Sequence, residues 1–213
     1  KNSMPEDLKY IALVESALRP HAGSRKGAVG FWQFTRSTGR NYGLKIDSEK
    51  DERRNIFKST DAAIEYLKYL YKTFGSWTLA AAAYNMGETR LKKLIKKYDT
   101  KNFWALSKKE DFPRETRDYI PKLMAALLIA KAPQLYDFSK VKTLEPYSYE
   151  SFHVPGGTDL QNMATRLNIN PSQLKRLNPE LVHGFVPKFV NSHRIRIPPG
   201  MTTKVSKYIR KKL

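Results

Sequence analysis

Hydrophobic residues recur at intervals of three and four along the first 135 residues, which is the spacing of helices that bury one face. This spacing predicts amphipathic helices within residues 3–20, 59–75, 88–98 and 112–133. Residues 76–87, SWTLAAAAYNMG, are almost entirely apolar, so we expect a short helix that is buried on all sides. The first part of the chain is therefore predicted to be all helical.

Residues that typically begin or end helices support these assignments. Ser3, with Glu6 three positions later, forms a capping-box pattern, and Pro20 is expected to end the first helix. Gly75 is placed to end the second helix. Pro121 predicts a kink or a late start in the last helix.

The pattern changes near residue 148, where apolar and polar positions begin to alternate. Two strands that enclose two short helices are predicted within residues 148–157, 158–168, 170–178 and 193–200. Thr158 and Asn170 are the expected N-caps of the two helices.

We therefore predict a mainly α protein with three parts in chain order. An all-helical domain covers residues 1–135, and a proline-containing connector covers residues 136–148. A small α+β module covers residues 149–213 and ends in a basic tail.

The chain is strongly basic, with 39 Lys and Arg residues against 20 Asp and Glu residues and a net charge of +19. Such an excess favours a polyanionic environment, which includes nucleic acid, an anionic membrane surface and a carboxylate-bearing cell wall. The sequence has no recognisable nucleic-acid-binding module and no clustered aromatic and basic segment, so nucleic acid is not the expected partner.

The chain contains no cysteine, which excludes disulfides and is compatible with an oxidising compartment. The four histidines do not follow metal-ligand spacing, and no glycine loop of a phosphate-binding or dinucleotide-binding motif is present. We therefore expect no metal ion and no other cofactor. No apolar run in the sequence is long enough to cross a bilayer.

One carboxylate occupies a position where a helix is expected to carry an apolar side chain. Leu8, Ile11, Glu15 and Leu18 are spaced by three, four and three residues, so Glu15 falls on the buried stripe of the first helix. Contact with hydrocarbon disfavours the charged form of a carboxyl group, and the raised pKa suits it to act as a general acid. Alternatively, Glu15 turns to the edge of the helix and pairs with one of the many Lys or Arg side chains.

Three blocks of the sequence resemble the catalytic domain of soluble-type lytic murein transglycosylases, a family related to goose-type lysozyme. These blocks are VESALRPHAGSRKGAVGFWQF, STDAAIEYLKYLYKTFGSWTLAAAAYNMGETR and FPRETRDYIPKL. The segment FHVPGGTDLQNMATRLNINPSQLKRLNPE, followed by RIRIPPG, resembles a divergent LysM module. The combination is most similar to the membrane-bound lytic transglycosylase D group. The resemblance implies a lysozyme-like helical catalytic domain followed by a small LysM-like βααβ module.

The resemblance also assigns roles to individual residues. It places the catalytic acid and base on Glu15, the glutamate of the ES pair. The positions that correspond to the substrate-binding residues of the family are Ser24, Gln33, Tyr84, Asn85, Glu115 and Tyr119. Each of these also has an ordinary structural explanation, such as a turn serine, a solvated glutamine or a packed tyrosine.

The resemblance implies cleavage of the β-1,4 bond between N-acetylmuramic acid and N-acetylglucosamine in peptidoglycan. Lytic transglycosylases use one carboxyl group, because the muramyl 6-hydroxyl attacks in place of water and gives a 1,6-anhydro product. Residues 16–46 contain no Asp or Glu, whereas ordinary glycosidases need two carboxyl groups. A lysozyme-type hydrolase is the alternative, with Asp47, Asp51, Glu52 or Glu115 as the group that positions water.

Further alternatives stay open. Phe31, Met86 and Thr89 depart from the family pattern, which leaves room for an altered preference for deacetylated glycans. A non-catalytic wall-binding protein with the same fold is another interpretation.

The implied partner is the glycan strand of peptidoglycan, in a periplasmic or secreted setting, with association to the wall or outer membrane as a further expectation. We expect a monomer.

Overall fold

The computed structural model describes residues 4–138, 140–142 and 144–211. In this part of the chain, seven α-helices precede residue 141: α1 (Tyr10–Ser16), α2 (Arg36–Asn41), α3 (Ile56–Phe74), α4 (Trp77–Met86), α5 (Glu88–Tyr98), α6 (Phe103–Ser107) and α7 (Arg114–Lys131). The remaining elements are β1 (Glu150–Pro155), α8 (Leu160–Arg166), α9 (Pro171–Leu177), β2 (Ser192–Ile197) and α10 (Thr202–Arg210). The predicted mainly α fold class is confirmed.

The described residues form two compact units that interleave along the chain. Those of the first unit fall within Lys1–Arg19, Phe31–Gln33 and Thr60–Val141. Those of the second fall within Pro20–Gly30, Phe34–Ser59 and Lys142–Leu213. These groups cut across the linear division into residues 1–135, 136–148 and 149–213, which stays a prediction.

Backbone hydrogen bonds explain why residues 34–59 group with the C-terminal part. The Asp51 amide donates to the Glu180 carbonyl at 2.8 Å, and the Val182 amide donates to the Glu49 carbonyl at 2.9 Å. Pairing of this kind joins segments that are distant in sequence, so local periodicity does not reveal it.

The first unit contains most of the predicted helices. Helices α4, α5 and α7 have the predicted positions, and α3 ends directly before Gly75. The five residues 79–83 of α4 are all buried, as expected for a helix without a polar face. Helix α7 continues through Pro121, and it packs against both α1 and α4.

Helix α1 ends earlier than predicted. It stops at Ser16 rather than near Pro20, because Ala17 and Leu18 adopt left-handed backbone conformations with φ of 50° and 58°. Leu18 is consequently 53% exposed, so its predicted place on the buried stripe is wrong. The predicted capping box depends on Ser3, which lies outside the described residues.

The second unit contains the predicted strand–helix–helix–strand arrangement. Strands β1 and β2 pair antiparallel, with Phe152 opposite Ile195. Asn170 caps α9 as predicted. The predicted cap at Thr158 is wrong, because Asp159 caps α8 and the Thr158 hydroxyl donates to the Pro155 carbonyl instead.

The C-terminal stretch, predicted as a basic tail, forms α10 in its described part. Val205 and Ile209 face the core of the second unit and are buried there. Across the described ranges of the chain, no helix has both the length and the apolar composition needed to span a membrane.

Candidate functional site

Glu15 lies in the last turn of α1, next to Ser16, whose hydrogen bonds stabilise this end of the helix. The buried Ser16 hydroxyl donates to the carbonyl oxygens of Ala12 at 3.0 Å and Phe31 at 2.8 Å. The second bond holds the segment Phe31–Gln33 against the end of α1. Ser16 therefore positions Glu15 relative to Gln33.

The surroundings of Glu15 favour its protonated form. Burial raises the pKa of the Glu15 carboxyl, the nearby hydroxyl of Tyr119 lowers it, and the negative charge of Glu115 raises it. Among the described residues, no Lys or Arg forms an ion pair with this carboxyl. The described residues thus give Glu15 none of the basic partners that the alternative interpretation requires.

Tyr84 lies near the end of α4, close to Glu15. Its hydroxyl donates to the Trp32 carbonyl at 2.7 Å, and its ring centroid is 5.3 Å from that of Tyr66. Burial raises the pKa of Tyr84 well above its ordinary value, and the charge of Glu15 adds to this effect. The phenol therefore stays neutral beside the carboxyl group.

Tyr119 projects from α7 and is 5% exposed. Its hydroxyl is buried and lies next to the Glu15 carboxyl, whose pKa it lowers. Burial, and next the charge of Glu15, raise its pKa well above the ordinary value. The Tyr119 hydroxyl is thus a neutral hydrogen-bonding group beside the carboxyl of Glu15.

Asn85 and Glu115 lie where α4 ends and α7 begins. The Thr116 hydroxyl donates to Asn85 Oδ1 at 2.7 Å, which ties the two helices together. Glu115 occupies the first turn of α7, where a negative charge is favourable.

Gln33 adopts a left-handed backbone conformation with φ of 49°, which is unfavourable for a residue with a side chain. The neighbouring Trp32 is held by its indole N–H, which donates to the Thr60 hydroxyl at 2.9 Å. Strained residues of this kind cluster at functional sites because the surrounding structure must enforce them.

Ser24 lies in the second unit, unlike the other predicted site residues. It is exposed, and its hydroxyl oxygen accepts from the Ala28 amide at 3.1 Å. This contact is that of a serine that stabilises a turn.

The first unit thus contains Glu15, Gln33, Tyr84, Asn85, Glu115 and Tyr119. Sequence reasoning missed Ser16, Tyr66 and Thr116, which orient members of this group. Ser16 could have been identified from the sequence, because it follows Glu15 directly in the ES pair. The other two contacts join helices that are distant in sequence and leave no local pattern.

Three of the four candidates for a second acid have other roles in the second unit. Asp47 accepts from backbone amides, Asp51 pairs with Arg53, and Glu52 pairs with lysine side chains. Only Glu115, of these four, lies in the same unit as Glu15. In the residues that the structure describes, no group of three His, Asp or Glu side chains is arranged to hold a metal ion.

Comparisons with known proteins match both parts of the chain. Residues 1–107 match the transglycosylase SLT domain, and residues 149–211 match the LysM-like domain of lytic transglycosylase MltD. Membrane-bound lytic murein transglycosylase D of Escherichia coli strain K12 is 38% identical over 183 residues, which cover 84% of this chain and 40% of that protein. The chain therefore spans two fifths of the length of this relative.

A phage protein is also similar. Peptidoglycan transglycosylase gp16 of Escherichia phage T7 is 33% identical over 137 residues, or 63% of this chain and 10% of that protein.

Two solved structures share the fold. The 70 kDa soluble lytic transglycosylase of Escherichia coli has a TM-score of 0.52 and 24% identity over 62% of this chain and 22% of its own. An inactive mutant of lytic transglycosylase Slt from Pseudomonas aeruginosa has a TM-score of 0.51 and 23% identity over 63% of this chain and 22% of its own. At these identities the likeness shows the fold alone.

Proposed function

Because this chain belongs to the transglycosylase SLT family, through the match of residues 1–107, we propose that it is a lytic transglycosylase that cleaves peptidoglycan with Glu15 as acid and base. The observation that carries the proposal is the setting of Glu15. Its carboxyl has a raised pKa, two neutral phenols nearby and no basic partner among the described residues. A protonated carboxyl group in such a setting is suited to protonate a leaving group.

In the proposed reaction the Glu15 carboxyl group gives up one proton and takes up another. Glu15 donates its proton to the oxygen of the bond between N-acetylmuramic acid and N-acetylglucosamine, and the bond from this oxygen to muramyl C1 breaks. The Glu15 carboxylate then takes the proton of the muramyl 6-hydroxyl, whose oxygen bonds to C1. The product is a 1,6-anhydromuramyl end, and the carboxyl group returns to its protonated form without water being consumed.

The phenols and amides near Glu15 are the proposed substrate contacts. Tyr119 offers a neutral, buried hydroxyl beside Glu15 as a contact for the sugar. Tyr84 lies close to Glu15, and its hydroxyl donates to the Trp32 carbonyl. Gln33 and Asn85 carry amide groups of the kind that bind N-acetyl groups, and Glu115 acts on the pKa of Glu15.

Ser24 and the wider setting are also part of the proposal. We assign Ser24 a substrate contact on the sequence resemblance alone. The net charge of +19 suits a wall rich in carboxylates, and a LysM-like segment follows the catalytic one. We propose a monomer that acts in the periplasm or outside the cell.

Mass spectrometry of fragments released from purified peptidoglycan tests the proposal. The wild type is compared with Glu15→Gln, and with Glu6→Gln as a control at an exposed carboxylate ahead of α1. We expect fragments lighter by one water than reducing-end muropeptides, from the wild type and the control only. Reducing ends would indicate a hydrolase, with Glu115 as the next residue to replace. No release by any variant would indicate a non-catalytic wall-binding protein.

A further inference from the structure

A cavity of about 410 Å³ is lined by residues of the second unit alone. Two stretches that are distant in sequence, residues 50–58 and 149–196, contribute to its wall. The first stretch falls within the SLT match and the second within the LysM-like match. Neither stretch could form this cavity without the other.

Two lysines in the wall share a single carboxylate. Glu52 is 1% exposed, and its Oε1 atom lies 2.8 Å from Lys50 Nζ and 2.5 Å from Lys58 Nζ. The other carboxylate oxygen accepts from the Lys45 amide at 2.9 Å. Lys50, Lys58 and Glu52 together therefore carry a net charge of +1.

Glu180, the other acid of the cavity wall, also has both carboxylate oxygens in hydrogen bonds. Both oxygens of Glu180 accept from Arg196, at 2.5 and 2.6 Å, and Oε1 also accepts from Asn55 at 2.9 Å. Arg194 lines the cavity too, and no acid pairs with it in the described part of the protein. The wall thus has an excess of positive charge that its own acids cannot compensate.

Aromatic rings form another part of the wall. The centroids of Phe57 and Tyr149 are 5.3 Å apart, and the Arg196 guanidinium lies 5.7 Å from the Phe57 centroid. Phe57 is 42% exposed, so part of its ring is open to a ligand. A ligand with an apolar part could cover this ring.

His193 completes the cavity wall as a neutral group. Burial, followed by the positive charges of Lys50, Lys58 and Arg196, lowers the pKa of its imidazole to about 4. Its Nε2 atom is buried without a hydrogen-bond partner among the described residues. The imidazole is therefore uncharged near neutral pH and has one unused hydrogen-bonding position.

We propose that this cavity binds a free carboxylate of the peptide stems of peptidoglycan. Lys58 and Arg194 hold the carboxylate, His193 completes its hydrogen bonds, and the aliphatic part of the stem covers Phe57. The excess charge and the exposed ring together fit a short acidic peptide better than a neutral sugar. That the acid comes from peptidoglycan rests on the proposed function.

Isothermal titration of the full chain carrying Glu15→Gln with soluble ligands tests this inference without turnover. The ligands are a disaccharide with its peptide stem, the same compound with amidated carboxylates, and the disaccharide without a stem. The cavity variant is Lys58→Gln with Arg194→Gln. Its control, Lys204→Gln with Arg210→Gln, removes the same charge from exposed residues of α10.

We expect the stem-bearing ligand to bind, and the cavity variant to weaken this binding at least about tenfold while the control does not. Amidation of the ligand should have an effect similar to that of the cavity variant. Equal weakening by both variants, equal affinity for the ligand without a stem, or no binding of the stem-bearing ligand would each overturn the proposal. Arg194→Gln alone serves as a second variant, because replacement of Lys58 also removes an ion pair with the buried Glu52.

Nuclear magnetic resonance locates the site independently. The imidazole C–H resonance of His193, assigned with His193→Gln, should shift when the stem-bearing ligand is added. An unchanged His193 signal at saturation would overturn the assignment to this cavity. These readouts do not depend on catalysis, so the absence of an anhydro product would refute the proposed function and leave this result interpretable.

Discussion

Replacement of Arg196 by Met tests the ion pair that joins the two segments of the second unit. Arg196 donates to both oxygens of Glu180, and Asn55 donates to one of them. The side chains of Arg196 and Glu180 are 9% and 2% exposed. Removal of the guanidinium therefore leaves a carboxylate with almost no access to water and only one amide as a partner.

The expected cost follows from this burial. A buried carboxylate that loses its charged partner destabilises a protein by about 3–5 kcal/mol. If Glu180 is also replaced by Leu, the buried charge disappears. The Asn55 amide group then loses Glu180 as its acceptor, and the Leu177 carbonyl keeps, among the described residues, only the Tyr147 hydroxyl at 3.4 Å, at a cost of about 1–3 kcal/mol. We therefore expect the double variant to be more stable than Arg196→Met alone.

Urea unfolding measures both effects. The three tryptophans, Trp32, Trp77 and Trp104, all lie in the first unit, so their fluorescence reports its unfolding, while far-UV circular dichroism reports both units. Comparison of the two signals thus identifies the unit whose unfolding transition is shifted by Arg196→Met. A loss below about 1 kcal/mol, or a double variant whose cost equals the sum of the two single variants, would refute the reasoning.

Three further predictions concern the site and one tight turn. The Tyr119 hydroxyl lowers the pKa of Glu15, so Tyr119→Phe should raise the pKa of Glu15 and shift the alkaline loss of activity to higher pH. A pH profile of kcat/KM whose alkaline limb shifts to lower pH would contradict this prediction. Because the folded-state pKa of Glu15 is raised, Glu15→Gln should be more stable than the wild type near pH 7 and should have a higher Tm there. Calorimetry should show this advantage disappearing as the pH falls below the ordinary value of 4.5, and a constant difference would argue against it. A Cβ atom on Gly30 would lie 2.0 Å from the Arg53 carbonyl oxygen, so Gly30→Ala should destabilise the protein by at least about 3 kcal/mol. At the control position Gly27 nothing lies within 4 Å, and Gly27→Ala should cost about 1–2 kcal/mol. Equal shifts in Tm for the two variants would contradict this difference.

The long helices were predictable because their local signals agree. In α3, the apolar spacing persists over 19 residues, and Gly75 follows the last one. In α4, the apolar run predicted both the helix and its burial, and in the structure Ser76 caps it. These features are local, so tertiary contacts had little to override.

The errors arise where tertiary contacts or a weak pattern decide the structure. Helix α1 ends at Ser16, where a hydrogen bond to Phe31 and two left-handed residues replace the helix that periodicity predicts. Helix α10 was missed because only two apolar residues, Val205 and Ile209, mark its buried face among many basic ones.

The candidate site was partly predictable for the same reason. Periodicity placed Glu15 on the apolar stripe but left open whether its pKa is raised or its carboxyl pairs with a basic side chain; in the structure, burial raises this pKa. The neighbours that surround it, Tyr84 and Tyr119, lie on helices far along the chain. Their positions came from the family resemblance, because no local spacing relates them to Glu15.

The pairing of Asn55 with Glu180 also has a consequence for how the protein folds during synthesis. The two residues are 125 positions apart. At about 5–20 residues per second, a ribosome needs roughly 6–25 s to deliver the second after the first. During this interval the segment that contains Asn55 has left the ribosome without its partners. We therefore expect the second unit to fold late, after translation of β2, and the nascent chain to need protection from aggregation until then.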